Sequence, residues 1–149
     1  MGDRGNIQIS QPEAGSDLFL YTHWAGSYIC PILAEGLARC KAVGRLTDPA
    51  YATRIIFDTL TGCEGTDTGF GISVETPCDN EHPIPNLYWG PTFGQLPVVF
   101  YNGGEFTVEA FIDAWGDGAT ERAEEWANTK SFSAQVRALS QEMVCREGS

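Results

Sequence analysis

Early in this chain the period of hydrophobicity changes from two residues to nearly four, and that change constrains the fold more than any other feature. Residues 6–10 (NIQIS) and Leu18–Thr22 (LFLYT) alternate side chains as strands with one buried face do. Glu13, Gly15, Ser16 and Asp17 lie between them and carry the turn chemistry of a hairpin. Residues 27–41 then place Ile29, Ile32, Leu33, Leu37 and Cys40 on one helical face. Pro31 falls in the first turn, where its missing N–H costs little, and Gly44 suits the stop. Asp48-Pro49 announces a second helix over residues 49–60: the carboxylate caps, the proline opens the first turn, and Gly62 ends it.

Further strand-like pieces follow at 70–75, 87–89 and 96–101. Thr107 is positioned to cap a short helix ending at Trp115, with Val108, Phe111, Ile112 and Trp115 on its apolar face. Residues 120–128 and 133–146 read as two more helices. The expectation is an α+β fold: a mostly antiparallel sheet of about four or five strands packed by helices, with 96–101 central. The chain is read as a single domain, 1–149, of which 118–149 is a C-terminal helical extension. That extension either covers the other sheet face or pairs two chains into a homodimer.

The net charge of −11 is unevenly placed. No Lys or Arg occurs between Arg54 and Arg122, and the eleven acids in that interval account for the whole net charge. Direct binding to nucleic acid is therefore not expected, because phosphate neutralisation needs clustered cations. A basic protein surface is the expected partner, with Glu105, Asp113 and Asp117 among the contact residues. No apolar run approaches the ~20 residues of a membrane span, and the first residues lack an apolar signal core, so a cytoplasmic location without membrane contact is expected. Five cysteines (Cys30, Cys40, Cys63, Cys78, Cys145) include no C-x-x-C spacing, and free thiols, mostly buried, are expected.

Only two histidines are present, His23 and His82. His23 and Trp24 follow an apolar strand and precede a helix, as a structural corner or the rim of a pocket. His82 closes the polar loop Cys78-Asp-Asn-Glu-His82, where scaffold-held sites concentrate. Should that loop fold back to the strand end, His23, Asp79, Glu81 and His82 would meet and could bind a metal or a small molecule, or carry acid–base chemistry. No H-E-x-x-H, G-x-S-x-G or phosphate-binding glycine loop is present. No catalytic residue, resident metal or cofactor is expected, and an enzyme is the alternative rather than the leading expectation.

The pieces Gly5-Asn-Ile7, Tyr21-Thr-His-Trp-Ala-Gly26, Tyr51-Ala-Thr-Arg-Ile-Ile-Phe57, Thr68-Gly-Phe-Gly-Ile-Ser73 and Asp79-Asn-Glu-His-Pro83 resemble a set of short uncharacterised proteins of tailed bacteriophages and bacterial genomes. The resemblance covers residues 1 to about 85 and carries no activity or catalytic residues. It implies a phage or mobile-element setting, in which a small acidic protein would act as an inhibitor of host machinery. Together these readings give the expected function: a small acidic binding or inhibitor protein that engages a basic host protein surface through its central segment.

Overall fold

The alternating residues at the start of the chain form β1 (Gly5–Ser10), which a hairpin joins to β2 (Leu18–Thr22). These elements belong to a computed structural model that describes residues 2–11, 13–62, 69–91 and 94–130. A 3-10 turn, Gly26–Tyr28, leads into α1 (Ile29–Ala42), and α2 (Pro49–Gly62) follows. Asp48 accepts the Tyr51 N–H at 3.4 Å, as its capping role requires, and Gly44 adopts φ 71° just past α1. The chain continues through β3 (Phe70–Val74), β4 (Asn86–Tyr88), β5 (Val98–Tyr101), β6 (Gly104–Thr107), α3 (Val108–Trp115) and α4 (Ala119–Lys130).

The architecture is α+β, with one sheet of six strands in the order β3-β2-β1-β4-β5-β6. Every pairing is antiparallel except β1 with β4. Two expectations are corrected here. The sheet has six strands, because Gly104–Thr107 pairs back on β5. The central strands are β1 and β4, and β5 lies second from the edge. β4 takes the centre because its parallel register sets Ile9 beside Leu87 and so continues the buried row of β1.

That row defines the two faces of the sheet. Ile7, Ile9, Leu18, Leu20, Leu87 and Val99 point at the helices, and α1 packs among α2, α3 and α4 over them. Leu33, Leu37 and Cys40 of α1 are fully buried. Each buried Leu or Ile contributes roughly 1.5–3 kcal/mol. Phe106, Phe111 and Trp115, with Tyr101, form a cluster of edge-on and tilted rings that docks α3 on β5 and β6. α4 does not reach the far face of the sheet. It packs on α1 through an Arg122–Glu35 ion pair and the stacking of Arg39 on Trp126. The expected helix at 133–146, and pairing of chains through it, lie outside the described residues.

Among the described cysteines, Cys30 and Cys40 are buried and Cys78 is exposed, and all three are free. Burial pushes the Cys40 thiol up to about 12, so this sulfur is an inert core atom. No described helix is long and apolar enough to cross a membrane.

Candidate functional site: an N-terminal clasp and an open sheet face

The corner at His23-Trp24 is built by Thr22. Its buried hydroxyl accepts the N–H groups of Trp24 (3.3 Å) and Ala25 (3.2 Å), which turns the chain out of β2. The main chain of His23 is held on both sides: its N–H donates to Gly69 O at 2.7 Å, and its carbonyl accepts from Asp3 N at 2.8 Å. The Tyr21 hydroxyl lies 2.8 Å from His23 Nδ1, and the Trp24 ring stands edge-on to the imidazole at 4.4 Å. Gly69 is required beside this corner. Its φ is 91°, and a Cβ there would come within 2.7 Å of Trp24 Nε1.

The loop carrying Asp79, Glu81 and His82 folds back to the same end of the sheet. There it meets Asp3 and Arg4, two residues that the sequence reading did not select. His82 Nε2 lies 2.5 Å from Asp3 Oδ1. The Arg4 guanidinium donates to Glu81 (2.7 Å) and to Asp79 (3.1 Å), and Glu81 N–H donates to the Arg4 carbonyl at 3.0 Å. Beneath the loop, the buried Asn6 amide donates to the carbonyls of Cys78 and Asp79 and to the Asn80 side chain. Asn80 in turn donates to the His82 carbonyl. The Ser27 amide donates to Asp3 Oδ2 at 2.9 Å. Hydrogen bonding from Ser27, with His82 beside it, lowers the Asp3 carboxyl to about 2.

The expected quartet of His23, Asp79, Glu81 and His82 is thus only partly assembled. Glu81 and His82 join Asp3, and single donor atoms of these three lie within 4.8 Å of one another. His23 stands outside that set, with Nδ1 taken by Tyr21 and Nε2 packed over Gly2, where a Cβ would come within 2.7 Å of it. Asp79 is turned to Arg4. The only advance signal for Asp3 and Arg4 is a charged pair between two glycines, with partners more than seventy residues away.

The acids of the central segment do not share one patch. Asp58 pairs with Arg54, Asp79 and Glu81 with Arg4, and Glu109 with Lys41. Glu105 lies on edge strand β6 and Asp113 on α3; Asp117 follows α3, where its carbonyl accepts from Arg122. Glu105 shares the far face of the sheet with Phe100, its cross-strand partner, and Phe100 in turn sits opposite Asn86. Tyr88 and Phe100 meet edge-on at 5.9 Å on this face and remain 39% and 40% exposed; Leu96, just before β5, is 65% exposed. A shallow cavity of about 470 Å³ opens beside Phe100, bounded also by Ile84, Asn86, Asn102, Gly104 and Glu105. No family model, curated protein or solved structure matches this chain.

Proposed function

We propose that the protein is a binding protein whose contact surface is the far face of β4, β5 and β6, and whose partner is a basic protein surface. The observation that carries this reading is the exposed Tyr88–Phe100 pair, drawn wholly from the interval without Lys or Arg. Aromatic side chains left part-exposed on a sheet face are what interface cores are made of. Glu105 supplies the charge at the rim, and no cation from the same segment offsets it. A basic partner would be steered to such a face and then held by apolar contact.

The test is affinity capture from a bacterial lysate at low and high salt, with the native chain and with a Tyr88→Ser/Phe100→Ser variant. The expected result is a basic protein retained by the native chain at low salt, weakened at high salt and lost with the variant. Retention that is indifferent to both salt and variant would remove this surface from consideration.

A further inference from the structure

We propose that Asp3, Glu81 and His82 form a binding site for a divalent transition-metal ion, with Zn²⁺ as the best-matched occupant. The site is independent of the sheet face described above. Its donors come from the N-terminal segment and from the loop before β4, and single atoms of the three meet within 4.8 Å. Two carboxylates and one imidazole suit Zn²⁺ or Mn²⁺ better than Ca²⁺ or Mg²⁺, which prefer oxygen alone.

The surroundings prepare these groups for a cation. Asp79 and Glu81 share the Arg4 guanidinium while Asp3 faces His82, so three carboxylates stand against one guanidinium and negative charge is left over. Ser27 N–H holds Asp3 Oδ2 and so fixes the orientation in which Oδ1 faces His82. Arg4 Nε holds Glu81 Oε1, an outer contact of the kind that orients metal ligands. The main chain is equally fixed. Glu81 is hydrogen-bonded to Arg4, and a Cβ on Gly26 would come within 2.7 Å of both His82 Cδ2 and the Arg4 carbonyl.

The movement needed is small. Ligands on a tetrahedral Zn²⁺ with bonds of about 2.0–2.2 Å stand roughly 3.3 Å apart. His82 and Asp3 would separate from 2.5 Å to that spacing, and Glu81 would close in. All three side chains are partly exposed, so rotamer changes suffice. Three protein donors leave the fourth position to water or to an incoming ligand.

The experiment is a calorimetric titration of the untagged full chain with ZnCl₂ and MnCl₂, read beside the His82 ring resonances by NMR. One equivalent of Zn²⁺ is expected to bind with a micromolar or tighter Kd and to shift the His82 ring signals, with Mn²⁺ weaker. His82→Ala and Asp3→Asn are each expected to lower the affinity at least about tenfold, or roughly 1.4 kcal/mol. His23→Ala and Cys78→Ser are expected to leave it unchanged. The NMR reading needs no variant, so a folding defect in His82→Ala does not blunt the test. No His82 shift at about millimolar Zn²⁺ would overturn the site. So would binding that survives His82→Ala and disappears with Cys78→Ser.

Discussion

The two halves of the far sheet face are finished by different means. Over β1 the face is polar and internally bonded, and over β2 it carries a buried Phe19 and Tyr21, whose hydroxyl meets His23. Asn6 holds the 78–80 loop, Gln8 donates to Asp17 at 2.6 Å, and Ser10 accepts from Asn86 at 2.9 Å. Over β4 and β5 the same face presents Tyr88 and Phe100 to solvent. In the first half most side chains are engaged within the molecule, and in the second the aromatic rings are left exposed. The difference lies in what the loops do. The segment between β3 and β4 returns across β1, whereas β5 passes to β6 through the two-residue turn Asn102-Gly103, which covers nothing.

Substitutions on the two sides of β4 should break this comparison most visibly. Leu87 faces the helices and is fully buried; its neighbour Tyr88 faces away. Leu87→Ala should cost about 2–5 kcal/mol of unfolding free energy. Tyr88→Ser should cost about 1 kcal/mol, because it removes a half-exposed ring and leaves no internal cavity. Urea midpoints of the two variants measure the contrast directly.

The closed half should respond to loss of its ties. In Asn6→Ala the carbonyls of Cys78 and Asp79 and the Asn80 side chain lose their donor from the buried Asn6, which should cost about 1 kcal/mol. The released loop should show in hydrogen exchange at the Glu81 amide, which bonds to Arg4, while the Leu20 amide within the sheet remains protected. Gly26→Ala pushes a methyl against the Arg4 main chain and should cost about 1–3 kcal/mol by overpacking. Its loss should be partly relieved by His82→Ala, which removes one of the two clashing partners, and a double-mutant cycle would measure that coupling.

What could be read in advance follows from range. β2, α2 and the cap at Thr107 are legible because each is a local pattern: an alternation, a proline after an aspartate, a hydroxyl three residues before the N–H that it accepts. β6 was missed although its signal is present. Asn102 and Gly103 both have positive φ, as a tight primed hairpin turn requires, and Asn-Gly is the strongest short hairpin signal. The turn leaves little room for a strand to be expected, since only four residues separate Gly103 from Val108. A strand-like piece is legible at 87–89, but the central place of β4 is not a local property, since three residues say nothing of which strands flank them. The candidate site divides in the same way. His82 and the corner at His23 stand out by residue type, whereas Asp3 and Arg4 acquire meaning only when a loop more than seventy residues away returns to them.

The smallest expected effect on stability is the sharpest test of the open half. Glu105 is exposed on the edge strand and has no ion-pair partner among the described residues, so Glu105→Lys should change stability by no more than about 0.5 kcal/mol. It nonetheless places a cation on a face whose own segment contains none. An exposed charge pair is worth roughly 0.2–1 kcal/mol, and that range corresponds to a loss of up to about fivefold in affinity for a basic partner. The loss should be seen at low salt and should vanish at high salt, where the Debye length falls to about 3 Å at 1 M. A loss that persists at high salt would instead mean that Glu105 acts by shape or by a specific hydrogen bond. The acidity of the central segment would then serve solubility, and the aromatic pair alone would carry the recognition.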